Sequence, residues 1–179
     1  KKVFIMMIQL PKDFIERTRP VLGDEWDDFV TALADTPPTS IRLNSNKTDR
    51  QLDLEKVKWC SDAYYLPHRP QFTFDPLLHA GVYYVQEASS MFVEHALKEL
   101  IHGTVKCLDL CAAPGGKSTV VSNYISKDSL LVSNEIVRSR AYILSENLMK
   151  WGNANNIVTN NKPDDFTELK NFFDLILVD

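Results

Sequence analysis

The residues best equipped for chemistry lie in one run, Val105 to Thr119, V-K-C-L-D-L-C-A-A-P-G-G-K-S-T. Val105 to Leu110 is β-branched and apolar, closes on Asp109-Leu110, and reads as a buried strand. Cys111-Ala112-Ala113-Pro114-Gly115-Gly116 follows as a loop of small residues, and from Lys117 onward the chain is competent to form a helix. A strand, a small-residue loop and a helix N-terminus make a cradle in which free N–H groups and the helix dipole favour a negative group. A phosphate-binding P-loop requires G-x-x-x-x-G-K-[ST]; Gly116-Lys117-Ser118 supply its end, but Cys111 stands where the first glycine belongs. The dinucleotide pattern G-x-G-x-x-G fails as well, because Gly115 and Gly116 are adjacent and no glycine precedes them in the loop. The plain structural alternative is a tight turn with no ligand.

A second acidic position fits the same cradle. Leu130 to Glu135 reads as the next strand, with Glu135 at its C-terminal tip. Glu135 follows Gly116 by 19 positions (135 − 116), close to the spacing of about 20 at which an acid accepts hydrogen bonds from a ribose diol. The alternative role is that of a neighbour to a helix N-cap. The cysteines, Cys60, Cys107 and Cys111, have no metal-ligand spacing, so no metal site is expected, and an odd count argues against a secreted disulfide framework. The expected compartment is reducing and cytoplasmic.

The words D-L-C-A-A-P-G-G-K-S-T closely resemble the cofactor loop of the RNA (cytosine-5) methyltransferases of the Sun type. The resemblance implies S-adenosylmethionine as cofactor, held by Cys111, Ala112, Ala113, Pro114, Gly115, Gly116 and Lys117, with Glu135 on its ribose. It implies carbon 5 of a cytosine in RNA, ribosomal RNA above all, as the methyl acceptor. Many relatives place an adenine-reading Asp where this chain has Asn161; an amide still hydrogen-bonds an adenine edge. Asp179 ends a strand that in the family continues into a Pro-Cys dipeptide, and it is counted with the cofactor residues. The family carries an R-x-N followed by a basic residue where this chain has Arg42, Asn44 and Lys47, which makes Arg42 and Asn44 candidates at the RNA or the domain interface. Y-Y-x-Q-E-A-S-S resembles the segment that lines the cofactor and substrate cleft, which adds Gln86 and Ser89.

Carbon 5 of cytosine attacks a methyl sulfonium only after a thiolate adds at carbon 6. The resemblance places that cysteine beyond Asp179, so no catalytic residue is expected within this chain, and the 179 residues alone are expected to be inactive. Cys111 heads a helix, where thiol pKa values fall, but its loop wraps the cofactor. Two rival classes are an NTPase using Lys117 and Ser118 and a non-catalytic RNA-binding module on the same scaffold.

The elements that must position these residues follow from pattern. The order strand, glycine loop, helix, strand, helix, strand, long loop, strand is half of a doubly wound, Rossmann-like α/β domain, and the resemblance implies that it is the first half of a class I methyltransferase sheet. Lys117–Ile125 and 137–151 are its helices; Asn156–Thr159 and Asn171–Asp179 are its later strands. A small α+β domain over 1–76 precedes it, with a break at Asp75-Pro76 and the first half of the methyltransferase domain over 77–179. In the small domain, 11–22 and 24–34 are expected helices, Ser40–Asn44 a strand, 49–59 a helix and 63–74 irregular. A helix after Gln86 should bury Ala88, Met91, Phe92, Ala96 and Leu100. The formal charge of -4 and pI near 5.6 argue against a generic nucleic-acid binder, so RNA contacts must be local. The apolar start, 3–8, is too short to span a membrane.

Overall fold

The computed structural model describes residues 9–179, so the apolar start over 3–8 lies outside the described residues. The chain forms two compact units, one ending at Pro38 and one spanning Thr39–Asp179. The first holds α1 (Lys12–Leu22) and, after a 3-10 turn, α2 (Trp26–Ala34). Pro11 sits one residue before α1, at its N-cap. The apolar residues Trp26, Phe29, Val30 and Leu33 of α2 recur at helical spacing, but only Trp26 is buried and Leu33 is exposed. Phe14 and Phe29 stack with ring centroids 6.3 Å apart.

The second unit contains two sheets. Strands β1 (Thr39–Leu43), β2 (Ala63–Leu66) and β3 (Tyr83–Val85) form an antiparallel sheet in the order β2-β1-β3, with Ile41 opposite both Tyr64 and Val85. The Asp75-Pro76 break therefore falls between two strands of one sheet, where the short helix α3 (Pro76–His79) connects them. Ala63–Leu66, expected to be irregular, is strand because its alternating side chains fit beside β1. Residues 49–59, expected to be helical, are extended and irregular. The reason is legible in Q-L-D-L: Leu52 and Leu54 alternate with period two and pack on the core of this sheet. Tyr65 donates to the Glu55 carbonyl and Val57 to the Ala63 carbonyl, so the segment satisfies its backbone against β2 rather than within itself.

The helix after Gln86 starts as a 3-10 turn, Ser89–Phe92, and becomes α4 (Val93–Leu100). Its buried face is Ala88, Met91, Glu94 and Leu97, whereas Phe92, Ala96 and Leu100 are exposed. A buried charge displaced the apolar stripe. Glu94, only 2% exposed, accepts from the Cys60 thiol at 2.7 Å, Ser61 N and Oγ at 3.1 Å, and Lys98 Nζ at 2.7 Å. Burial pushes its pKa up, but these hydrogen bonds and one from Tyr124 outweigh burial and hold it down at about 2.

The parallel sheet contains β4 (Lys106–Asp109), β5 (Leu130–Asn134), β6 (Asn156–Thr159) and β7 (Leu175–Leu177), in the order β6-β5-β4-β7. Helices α5 (Gly116–Tyr124) and α6 (Arg138–Trp151) are the crossovers. Leu97, Val105, Cys107, Val120, Val121, Ile125 and Leu131 form the core between α4, α5 and the sheet. Helix α6 buries Ala141, Leu144, Leu148 and Trp151 along one face, and Gly152 closes the helix in the left-handed region. From β4 the chain steps outward to β5 and β6, then returns past β4 to β7. The winding reverses between β4 and β7, which is where open α/β sheets bind ligands.

Candidate cofactor site

A cavity of about 240 Å³ opens at the β4 and β7 tips, bounded by Asp109, loop residues Cys111–Pro114, Gly116 and Lys117, Asp179, and the segment Tyr84–Glu87 with Ser90. The loop between β4 and α5 is held from outside. Ala112 N donates to the Asn134 carbonyl at 2.7 Å, Arg140 to the Ala113 carbonyl at 2.6 Å, and Asn147 to the Pro114 carbonyl at 2.8 Å. Tyr84 Oη reaches the same Pro114 carbonyl at 3.2 Å. Ala112 and Ala113 are packed on Leu144 and Leu148 of α6. Gly115 has φ +110°, which strongly favours glycine, and a Cβ there would press on Leu144 Cδ1 at 3.2 Å.

Asp109, 2% exposed, ends β4 beneath this loop. Ser118 Oγ donates to its Oδ2 at 2.6 Å, and Ser133 Oγ donates to Ser118 at 3.0 Å. Burial pushes the Asp109 carboxyl up to about 6, with Asp179 adding to the rise, while the Ser118 hydrogen bond and nearby Lys117 oppose it. Lys117 Nζ pairs with the Asp179 carboxylate across the cavity. Cys111 is exposed in the loop; Cys60 and Cys107 are buried, and burial raises their thiols to about 12 and about 11.

Glu135, 2% exposed, follows β5 at the neighbouring tip. Its Oε1 accepts from Val137 N at 2.9 Å and its Oε2 pairs with Arg140 at 3.3 Å. A carboxylate offers about four lone-pair sites, so acceptor capacity is left for a diol. Asn161 lies at the tip of β6; its N–H donates to Asn134 Oδ1 at 2.9 Å and its side chain donates to Asp165 at 3.2 Å.

Of the residues singled out in sequence, the cavity gathers Cys111, Ala112, Ala113, Pro114, Gly116, Lys117, Asp179 and Gln86. Gly115, in the same loop, lies outside its lining, as do Glu135 and Asn161 at adjacent strand tips. Ser89 also lies outside it: its hydroxyl and N–H are engaged by the Glu87 carboxylate, and Ser90 takes the place at the cavity wall. Arg42 and Asn44 are buried and hydrogen-bonded within the fold, so neither presents a donor to RNA. Sequence reasoning did not single out Asp109, Tyr84 or Asn147 as site residues. An acid closing an apolar strand run was a usable signal for Asp109; nothing local marked Tyr84 and Asn147.

The donor set fits an S-adenosylmethionine-like group. Lys117 and the first-turn N–H groups of α5 suit a carboxylate, Asp109 and Asp179 suit cations, and Glu135 suits a ribose diol. Among the described residues, no cluster of His, Cys, Asp and Glu is placed to hold a metal ion, and no helix is long and apolar enough to cross a membrane.

Comparison with known proteins agrees with this architecture. Residues 10–88 match the N-terminal domain of 16S rRNA methyltransferase RsmF, and residues 97–179 match the family 16S rRNA methyltransferase RsmB/F. Ribosomal RNA small subunit methyltransferase F of Pectobacterium carotovorum subsp. carotovorum (strain PC1) is 29% identical over 187 aligned residues, covering 95% of this chain and 39% of that protein. The chain thus spans about two fifths of the length of such relatives. The crystal structure of PH0851 superposes with a TM-score of 0.85 at 21% identity, over 94% of this chain and 41% of the other, and shows the shared fold. A methyltransferase homolog protein from Pyrococcus horikoshii superposes with a TM-score of 0.78 at 25% identity, over 94% and 58%. With both parts matched in order along one chain, the protein belongs to the 16S rRNA methyltransferase RsmB/F family, of which it carries the N-terminal portion.

Proposed function

We propose that this chain is the cofactor-binding front part of an enzyme that transfers a methyl group from S-adenosylmethionine to carbon 5 of a cytosine in small-subunit ribosomal RNA. The observation that carries the reading is the cavity at the β4–β7 switch point, lined by the small-residue loop and flanked by Lys117 and Asp179. The cofactor supplies an electrophilic methyl group when bound. The roles of this chain's residues follow from their chemistry. Gly115 and Gly116 let a ligand approach the backbone. Lys117 orients an anionic end, and Asp179, its ion-pair partner, is freed toward a cationic one. Glu135 accepts from the ribose hydroxyls while Arg140 and Val137 N keep its carboxylate aimed. Asn161 offers an amide to an adenine edge. The unit ending at Pro38 and the antiparallel sheet position the RNA, and the nucleophilic cysteine lies after Asp179.

The test is transfer of tritium from methyl-labelled cofactor to 16S rRNA stripped of its methyl groups, using the longest natural form of the chain. Label recovered as 5-methylcytidine after digestion is the expected result. Label on another nucleoside, or on none with cofactor bound, refutes the reading.

A further inference from the structure

Arg42 and Asn44 of the R-x-N-x-x-K segment are built into the interior, with Lys47 exposed at its edge. Arg42, 1% exposed, donates from Nε to Gln86 Oε1 at 3.2 Å. Its Nη2 donates to Thr119 Oγ1 at 2.5 Å and to the Gly116 carbonyl at 3.4 Å, and its Nη1 to the Thr119 carbonyl at 3.5 Å. The guanidinium lies 4.6 Å over the Trp151 ring. No carboxylate pairs with it among the described residues, although an unpaired buried cation is costly. Burial lowers its pKa only to about 10, so it stays charged at neutral pH. Asn44 and Lys47 complete the brace at the other helix. Asn44 donates to the Trp151 carbonyl at 2.8 Å and Lys47 to the Lys150 carbonyl at 2.5 Å, both at the C-terminus of α6. A Cβ at Gly81 would come 1.9 Å from that Lys150 carbonyl, so the contact is closed.

We propose that Arg42 is a positioning residue for the cofactor and substrate cavity, which fixes the Gln86 amide as a hydrogen-bond donor and clamps the first turn of α5. The direction of the hydrogen-bond chain carries this. Arginine has no acceptor, so only the carbonyl end of Gln86 can face Nε. That turns Gln86 Nε2 toward Ser90 Oγ, 3.1 Å away, and Ser90 Oγ spends its own proton on the Glu87 carbonyl at 2.9 Å. Ser90 must therefore accept, and the second N–H of Gln86 remains as its one free donor at the cavity wall. The amide also abuts the loop, because a Cβ on Gly116 would lie 3.3 Å from Gln86 Nε2. A free N–H in that place suits an oxygen acceptor of the ligand, either the carboxylate of the cofactor or the ring carbonyl of the cytosine. The nature of that ligand rests on the methyltransferase reading; the clamp on α5 does not.

Three variants in the longest natural form of the chain test this. Gln86→Glu still accepts from Arg42, so the thermal midpoint should not fall, but both N–H donors are gone. At least a tenfold loss is expected, either in S-adenosylhomocysteine affinity, which assigns the donor to the cofactor carboxylate, or in KM for unmethylated 16S rRNA with affinity for the cofactor product intact, which assigns it to the base. Unchanged values of both overturn the donor role. Arg42→Lys cannot bridge Gln86 and α5 at once, so amide exchange over Gly116–Thr119 should accelerate at least tenfold. Thr119→Val, which deletes the 2.5 Å contact without removing the cation, should accelerate it in the same place. Native-like exchange in both overturns the clamp. A native protein that binds no S-adenosylhomocysteine refutes the methyltransferase reading, and the exchange measurement then decides the clamp by itself.

Discussion

Replacing Asp109 by Asn should remove one defined part of the pH dependence of stability. Burial raises this carboxyl from 3.8 to about 6 in the folded protein. A raised folded pKa means that the folded state binds the proton more tightly than the unfolded one. The associated stability is fully present below pH 3.8 and is lost as pH rises through about 6. Two pKa units at about 1.4 kcal/mol each come to roughly 3 kcal/mol, an order-of-magnitude figure for a group that is nearly inaccessible. Glu94 works in the opposite sense: its folded pKa is lowered from 4.5 to about 2, so its contribution is present above 4.5 and disappears as pH falls toward 2. Between pH 4.5 and 7 the Asp109 effect is therefore separated from it. The assay is urea unfolding of the wild type and Asp109→Asn at half-unit steps across that window. The wild type should lose about 2 kcal/mol more than the variant on going from pH 4.5 to 7, the share of the full effect that falls between 4.5 and about 6. An unpaired amide N–H in the variant costs about 1–3 kcal/mol at every pH, so the difference in slope carries the test and the absolute level does not. Parallel curves would refute the burial argument.

Three further outcomes are expected. Glu135→Ala should weaken S-adenosylhomocysteine binding by about 1–3 kcal/mol, the cost of leaving polar partners unpaired; unchanged calorimetric affinity removes Glu135 from the ribose. Cys111→Ser in the longest natural form should still form a covalent adduct with RNA carrying 5-fluorocytosine, because Cys111 belongs to the cofactor loop; loss of the adduct with cofactor binding intact would make it the nucleophile. Gly115→Ala should lower stability by about 1–2 kcal/mol, since φ is +110° and Leu144 Cδ1 stands 3.2 Å from the new Cβ; an unchanged unfolding midpoint would contradict this.

Local pattern made the parallel sheet legible. The β4 run, the glycine loop, the acid after β5 and the α6 stripe each announce themselves within a window of a dozen residues. What the sequence concealed depends on contacts between distant segments. The face of α4 was misplaced because Glu94 is buried, and its partners Cys60 and Ser61 lie more than thirty residues away. The 49–59 segment looked helical until β2 offered it a backbone partner. Only the R-x-N resemblance offers the RNA or the domain interface for Arg42; its alternation with Ile41 and Leu43 by itself implies an outward, solvated side. That side is instead covered by α5 and Trp151, reached across 77 and 109 residues of chain.

The central claim is that the cavity between the β4 and β7 tips is an S-adenosylmethionine site rather than a phosphate site. Calorimetric titration of the longest natural form with S-adenosylhomocysteine, and separately with magnesium ATP, measures it directly. The account predicts saturable binding of S-adenosylhomocysteine at one site per chain and no heat from ATP. Saturable ATP binding with no response to S-adenosylhomocysteine would contradict it.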